Sequence, residues 1–216
     1  MHAYWSVALS LYFASAPPPQ SNVVTLATGD LVFHRSTSRQ AEAIALATKS
    51  AYTHVGVIFV DGDEVRVLEA VEPVQLTPLS SWLSRSADGQ VLVRRLARPE
   101  AISPQVERDM RALAQRWLGV HYDLHFEWSD ATLYCSELVY KLYERTAAIQ
   151  VGELATLGDF DLGRPVVHKQ MVQRYGPSLP LDQPVVSPAG QADDADFVTV
   201  YAGAVDGVRF GVTSGP

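Results

Sequence analysis

Cys135 is the single cysteine in this chain of 216 residues. The segment around it, YCSELVY at residues 134–140, predicts the opening turn of a helix over about residues 132–146. The partial positive charge at a helix N-terminus favours the thiolate, which is the nucleophilic form of cysteine. The pattern therefore indicates a nucleophile for acyl chemistry. The alternative is a small buried side chain that packs without reacting.

Two segments upstream predict a β-hairpin that carries a histidine and a glutamate. Residues 53–60 and 65–71 are rich in β-branched side chains, and the Asp61-Gly62 pair between them favours a two-residue type I′ turn. With that turn, His54 lies directly opposite Glu69. A four-residue loop leaves the two as diagonal neighbours on one face, and only a three-residue loop separates them. At Cβ separations of about 5 Å or about 7 Å, Glu69 reaches the imidazole in either of the first two registers.

Cys135, His54 and Glu69 together predict a catalytic site. Taken singly, His54 is explained as a histidine satisfied by backbone groups, and Glu69 as a residue on the solvent face of its strand. Taken jointly, the three residues supply a nucleophile, a base and a group that orients the base. This set indicates a cysteine hydrolase that cleaves an amide or ester through a thioester acyl-enzyme, without a cofactor.

Three segments resemble the signature blocks of the permuted papain-like amidases, the YaeF/YiiX group of the NlpC-like cysteine hydrolase superfamily. They are TGDLVF at residues 28–33, YTHVGV at 52–57 and YCSELV at 134–139. The resemblance implies an α+β fold with a circularly permuted papain-like core. In that core a small, mainly antiparallel sheet packs against helices, and the cysteine stands at a helix N-terminus.

The same resemblance assigns roles to residues. It implies Cys135 as nucleophile, His54 as base and Glu69 as the third polar residue. Ordinary papain-like enzymes place the nucleophile helix before the histidine strand, and circular permutation produces the inverted order found here. The residue beside the nucleophile lines the active site in that family. Tyr134 is therefore expected to offer its hydroxyl to the oxyanion together with the Cys135 N–H, or else to act as a hydrophobic staple.

Other segments predict the elements around the hairpin. A strand is expected over residues 29–33 and another over 91–96, where Arg94 and Arg95 suggest an edge or half-exposed position. Thr37 and Gln40 have the spacing of a capping box before an alanine-rich helix that ends near Lys49.

The second half of the chain has clearer helix signals. Ser103-Pro104 predicts a helix start and Gly119 its end. The expected buried face of that helix consists of Val106, Met110, Leu113, Ala114 and Trp117. A helix over residues 164–175, a loop over 177–196 and a strand over 197–201 complete the prediction.

Composition narrows the class of protein. With 47% hydrophobic and 19% charged residues, a single domain over residues 22–216 is expected. A net charge of −7 and the absence of a basic run argue against a nucleic-acid partner. No apolar stretch reaches the roughly 20 residues of a transmembrane span. The oligomeric state is left open.

Residues 1–21 raise the question of localisation. An apolar run over residues 5–16 ends in Ala14-Ser15-Ala16, which is typical of a signal peptide, but no Lys or Arg precedes it and Pro17 follows it. The segment is either an export signal, which implies a periplasmic or secreted protein, or an N-terminal tail on a cytoplasmic one. A single cysteine excludes an internal disulfide, so the redox compartment is not fixed.

A metal site is conceivable where four potential ligands lie close together, at His121, Asp123, His125 and Glu127. Since Gly119 has just ended a helix and no thiol lies nearby, a polar loop at the rim of the cleft is expected instead, with no metal. His34 and His168 are interpreted as structural.

The sequence allows three functions: an amidase or peptidase, a lipid acyl hydrolase or acyltransferase, and a non-catalytic binding module. A peptide or cell-wall fragment predicts a polar cleft, and an acyl-lipid substrate predicts an apolar channel beside Cys135. A binding module that keeps the fold would not need the thiol.

Overall fold

The computed structural model describes residues 23–212, so the prediction for residues 1–21 lies outside the described residues. The strands are β1 (Val23–Leu26), β2 (Leu31–His34), β3 (His54–Asp61), β4 (Glu64–Glu69), β5 (Gln75–Pro78), β6 (Gln90–Leu96), β7 (His121–Tyr122), β8 (Thr132–Leu133), β9 (Ala155–Thr156), β10 (Pro184–Val185), β11 (Phe197–Ala204) and β12 (Arg209–Val212). The helices are α1 (Ala41–Thr48), α2 (Leu79–Leu83), α3 (Pro104–Trp117), α4 (Cys135–Ala147), α5 (Pro165–Tyr175) and α6 (Pro188–Ala192). Within the described range, no helix is long and apolar enough to cross a membrane.

A six-stranded sheet forms the centre of the molecule, in the order β11-β6-β2-β3-β4-β5. All neighbouring strands in it run antiparallel. This arrangement confirms the expected mixed α and β fold with a mainly antiparallel sheet. Three two-stranded pairs, β1 with β12, β9 with β10 and β7 with β8, flank it.

Helices and short strands cover both faces of this sheet. On one face, Val55, Val57 and Phe59 of β3 pack with apolar residues of α3 and α4. On the other face, Ile58 packs with Trp82 of α2 and with residues of the β1–β12 pair. Because both faces are covered, β3 is buried from His54 through Phe59.

The register of the β3–β4 hairpin differs from the prediction. Asp61 pairs with Glu64 and Val60 with Val65, so the turn residues are Gly62 and Asp63. Only Gly62 has a positive φ, 57°, as in turns that require glycine at the first central position. The directly opposed pairing of His54 with Glu69 is therefore wrong. The register is that of the alternative in which the two residues are diagonal neighbours.

Local signals located α3 correctly and α1 less well. The Ser103 hydroxyl accepts a hydrogen bond from the Val106 N–H at 3.3 Å, which confirms the predicted cap of α3. The capping box predicted from Thr37 is wrong, because the N-cap of α1 is Gln40 and its side chain makes no cap bond. The Gln40 side chain instead donates a hydrogen bond to the Tyr122 hydroxyl at 2.8 Å.

The predicted edge position of β6 is also wrong. β6 pairs with β2 on one side and with β11 on the other, so it is an interior strand. Arg94 and Arg95 are half-buried, as the alternative prediction allowed. Asp30 binds Arg95 through two hydrogen bonds of 2.7 and 2.6 Å. This ion pair explains how an interior strand accommodates the charge of Arg95.

Candidate active site

The helix α4 begins at Cys135, and Tyr134 is its N-cap. The Glu137 carboxylate accepts a hydrogen bond from the Tyr134 N–H at 3.3 Å, which satisfies one of the free donors at the helix start. Every residue from Cys135 to Tyr143 is buried. Cys135 therefore stands at the start of the buried part of α4, where the positive end of the helix dipole lies.

A second segment fixes the start of α4 from outside. The Ser136 hydroxyl donates to the Val186 carbonyl at 2.9 Å, and the Gln191 amide donates to the Ser136 carbonyl at 2.9 Å. Both partners belong to the stretch that the sequence predicted only as a loop. That stretch contains β10 and α6, and it anchors the helix that carries Cys135.

His54 and Glu69 are in direct contact. The Nε2 atom of His54 lies 2.7 Å from Oε2 of Glu69. Glu69 is fully buried and His54 is 7% exposed. The diagonal register thus brings the two side chains together, as either of the two favourable registers predicted. Gly56, opposite Glu69 in this register, allows the strands to approach closely, because a Cβ atom there would lie 2.3 Å from the Val67 side chain.

Glu69 has two further partners that sequence reasoning missed. The Thr77 hydroxyl and the Arg85 Nη2 group each donate to Oε1 of Glu69 at 2.5 Å. Thr77 lies on β5, and Arg85 follows α2. No local signal marks them, because only the packing of β5 and α2 against β4 brings them to the carboxylate.

Electrostatics favour the ionised forms of both His54 and Glu69. Burial disfavours the imidazolium, but contacts with Cys135 and Glu69 outweigh burial and raise the pKa of His54 to about 9. Burial likewise disfavours the carboxylate of Glu69. Interactions with His54, Thr77 and Arg85 outweigh it and lower the pKa of Glu69 to about 2. At neutral pH these values correspond to an imidazolium of His54 bound to the carboxylate of Glu69.

His34 lies next to His54, and the sequence did not predict this position. It pairs with His54 across β2 and β3, and its ring stacks on Trp82 at a centroid distance of 4.0 Å. Burial and the nearby charges of His54 and Arg85 lower the pKa of His34 to about 3, so His34 is neutral at physiological pH. The one signal for this position in the sequence is that His34 is the polar residue at the end of the otherwise apolar strand β2. The prediction that His34 is a purely structural residue did not include its contact with His54.

Tyr134 lies next to Cys135 with its ring buried. Its hydroxyl accepts a hydrogen bond from the Val186 N–H at 3.1 Å, and its ring packs edge-on against Phe126 at 5.0 Å. These contacts show how Tyr134 is held. Its role at the oxyanion stays a prediction.

Two cavities meet beside these residues. An apolar pocket contains Cys135, and its other apolar lining residues are Ala43, Ile44, Ala47, Tyr122, Phe126, Tyr134, Leu157, Phe160, Leu162, Val167, Met171, Val185, Val186 and Pro188. A polar cleft contains His54, His34 and Arg85 together with other charged side chains. Four side chains line both cavities, namely Gln40, Tyr122, Gln170 and Arg174. The thiol and the imidazole therefore lie at the junction of an apolar and a polar space.

The polar loop at residues 121–127 lies at the rim of this cleft. The Nδ1 atom of the exposed His121 lies 2.6 Å from Glu72 Oε1. Asp123 is buried, and its Oδ1 accepts from the His125 N–H at 2.7 Å. Over residues 23–212 no group of three or more His, Cys, Asp and Glu side chains is arranged to hold a metal ion.

Comparison with known proteins agrees with this geometry. The profile of the permuted papain-like amidase family YaeF/YiiX, peptidase family C92, matches residues 25–201. Since this match covers most of the chain, the protein belongs to the permuted papain-like amidase family. It is accordingly a cysteine amidase- or peptidase-like hydrolase, as the sequence predicted.

Two relatives illustrate the similarity. The chain is 39% identical over 173 residues to the uncharacterized protein YiiX of Escherichia coli strain K12, a match that covers 80% of this chain and 85% of YiiX. It also resembles the crystal structure of the metalloprotein yiiX from Escherichia coli O157:H7, with a TM-score of 0.77 and 38% identity. That match covers 85% of this chain and 98% of the other.

Proposed function

We propose that Cys135 is the nucleophile, His54 the acid and base, and Glu69 the residue that orients His54, in a hydrolase that forms a thioester acyl-enzyme. The observation that carries this proposal is the buried pair of His54 and Glu69 beside the start of α4. Glu69 occupies Nε2 of the imidazole, which leaves Nδ1 for the sulfur. We also infer that the order of His54 before Cys135 along the chain reflects circular permutation.

The steps follow from the charges. The imidazolium of His54 stabilises the thiolate of Cys135, which attacks the acyl carbonyl of an amide. The oxyanion of the tetrahedral intermediate accepts from the Cys135 N–H, with the Tyr134 hydroxyl as a second donor. When the carbon–nitrogen bond breaks, His54 gives its proton to the leaving amine. Neutral His54 then takes a proton from water, which attacks the thioester and releases the acid.

These steps use only side chains and backbone groups of this chain. The related E. coli structure is that of a metalloprotein, but the donors here do not fit a metal centre within residues 23–212. Glu69 already binds the imidazole of His54 through Nε2. Among residues 23–212, Cys135 belongs to no group of three or more side chains arranged to hold a metal ion.

The acyl group of a lipid is a second candidate substrate. The apolar pocket beside Cys135 favours it, because side chains from α1, α5 and β10 form walls suited to an aliphatic chain. The polar cleft beside His54 favours the amide of a peptide or cell-wall fragment. The same nucleophile serves both reactions.

Trapping the thioester tests the mechanism and separates the substrates. We expect brief incubation with an acyl peptide or an acyl lipid, followed by acid quenching and mass spectrometry, to show an acyl adduct on Cys135. His54→Ala should lower kcat by roughly 10²–10⁴-fold, since it removes the proton carrier. His168→Ala is the matched control, because His168 is an exposed histidine outside both cavities. An adduct that persists in Cys135→Ala would refute the assignment, and the mass of the acyl group identifies the substrate class.

A further inference from the structure

The polar cleft carries an excess of positive charge, although the whole chain has a net charge of −7. Its lining contains Arg39, Arg85, Lys169 and Arg174, and Glu72 is its one carboxylate among the described residues. Glu72 is bound to His121. A cleft lined by positively charged side chains attracts anions, even on a protein whose net charge is negative.

Arg174 differs from the other cations of this cleft. Arg39 and Lys169 are exposed, and Arg85 is bound to Glu69. Arg174 is partly buried, and within residues 23–212 it forms no salt bridge. Loss of hydration lowers the pKa of Arg174, and the nearby Tyr122, Tyr175 and Asp123 side chains oppose this without forming an ion pair. A partly buried cation without an ion-pair partner is stabilised by a ligand of opposite charge.

The guanidinium is fixed in position with part of its donor set free. Its Nη2 group donates to Gln40 Oε1 at 3.0 Å, and Gln40 in turn donates to the Tyr122 hydroxyl at 2.8 Å. The guanidinium carbon lies 4.5 Å from the centroid of the Phe126 ring. Among the described side chains and backbone, Nε and Nη1 have no acceptor. Nη2 carries a second hydrogen, so one of the two donor edges of the guanidinium, Nε with Nη2 or Nη1 with Nη2, stays free for bidentate binding of an oxyanion.

Arg95 has a carboxylate partner, which Arg174 lacks among residues 23–212. Arg95 is also half-buried, and Asp30 meets it with two hydrogen bonds of 2.7 and 2.6 Å. Arg174 has no carboxylate in the corresponding position among residues 23–212. Arg174 lines both the cleft with His54 and the apolar pocket with Cys135. An anion bound there lies beside the reacting groups.

We propose that Arg174 is a specificity residue that binds an oxyanion of the substrate, a carboxylate or a phosphate monoester, while the acyl carbonyl lies at Cys135. Arg39 and Lys169 add positive charge around the bound anion. This inference rests on the proposed function, since it names the substrate class of the same site. The substrate is then an acyl compound with an anionic group close to its scissile bond.

Binding to a chemically inert protein tests the anion site apart from catalysis. The probes are octyl phosphate, octanoate and the neutral octyl glucoside, titrated calorimetrically into Cys135→Ala. We expect the two anions to bind more tightly than the neutral probe, and their affinity to fall with added salt. The added substitution Arg174→Met should weaken binding of the preferred anion by about tenfold or more, because charge-assisted hydrogen bonds are lost. The comparison of phosphate with carboxylate identifies the preferred group.

Two further variants separate anion binding from general effects. Arg108→Met on α3 removes the same charge from an exposed position outside both cavities and should leave all affinities unchanged. Arg174→Lys keeps the charge without the fork and should retain part of the affinity for octyl phosphate. Equal loss for the neutral and anionic probes in Arg174→Met, or no loss for either, would overturn the proposal.

The outcome also distinguishes this inference from the proposed function. If Cys135→Ala binds anions through Arg174 but the wild-type protein forms no thioester on Cys135, the anion site is correct and the hydrolase mechanism is wrong. If a thioester forms while anion affinity is independent of Arg174, the mechanism is supported and the anion site is wrong.

Discussion

At the scale of single residues, Glu69 governs the state of the imidazole. It is fully buried and accepts hydrogen bonds from His54, Thr77 and Arg85. Its negative charge fixes the orientation of the ring and favours the imidazolium form. The sequence identified the pair of His54 and Glu69 from hairpin spacing alone. The Thr77 and Arg85 donors lie on separate elements, so no spacing rule points to them.

Replacing Glu69 by glutamine should therefore change the pH profile as well as the rate. The amide still accepts a hydrogen bond from Nε2, so partial activity remains, but without the negative charge the pKa of His54 falls from about 9. Because the reactive form needs the imidazolium, the alkaline limit of kcat/KM should move to lower pH. Rates measured between about pH 5 and 10 test this shift.

The control for this prediction is Glu64→Gln on the same strand. Glu64 is exposed and paired with Arg66, so its replacement should leave the profile unchanged. An unmoved alkaline limit in Glu69→Gln would show that Glu69 does not act through its charge.

At the scale of elements, the β3–β4 hairpin sets the geometry of the pair. Periodicity and caps predicted β3, β4, α3 and α4, because these signals are local. The preferred register was wrong by two positions and the alternative register was correct, because the choice depends on the single positive φ at Gly62. The interior position of β6 was missed for a different reason. Its second partner, β11, comes from the far end of the chain, and local sequence carries no record of that pairing.

Gly56→Ala tests the close approach of the two strands. A Cβ atom at Gly56 would lie 2.3 Å from the Val67 side chain and 2.8 Å from the Leu68 carbonyl oxygen, so the strands must separate. We expect a loss of about 1–3 kcal/mol in the free energy of unfolding and a large loss of kcat, because Glu69 moves away from His54. Urea unfolding and steady-state kinetics measure the two effects.

Gly62→Ala in the same hairpin is the matched control. Gly62 has a positive φ but no atom within 4 Å of its built Cβ, so alanine strains the turn without displacing the site. Stability should fall while kcat is kept. Equal effects of the two substitutions on kcat would contradict the role given to Gly56.

At the scale of the whole molecule, the two cavities are products of the complete fold. Residues of α1, α4, α5 and β10 meet only after the chain has folded, and together they form the apolar pocket. The sequence offered a polar cleft and an apolar channel as alternatives. The structure contains both, separated by side chains that line each of them. Cavity chemistry of this kind arises from tertiary packing, which explains why motifs identified the nucleophile but not its substrate.

The apolar lining of the pocket predicts a preference for an aliphatic acyl group over an acetyl group. Met171→Glu on α5 places a charge in this pocket and should lower kcat/KM for p-nitrophenyl octanoate by about tenfold or more, while p-nitrophenyl acetate is little affected. Val172→Glu, on the outward side of the same helix, is the control and should leave both rates unchanged. A proportional loss for both esters would show that the pocket does not hold the acyl chain.

The shared use of Glu69 by His54 and Arg85 has one more consequence. Arg85 is partly exposed in the polar cleft, whereas the carboxylate it binds is sealed from water. A ligand that draws Arg85 away from Glu69 removes a positive charge that offsets the carboxylate, and it thereby raises the proton affinity of His54. Occupancy of the cleft and the basicity of the catalytic base are thermodynamically linked, and the linkage acts equally in both directions.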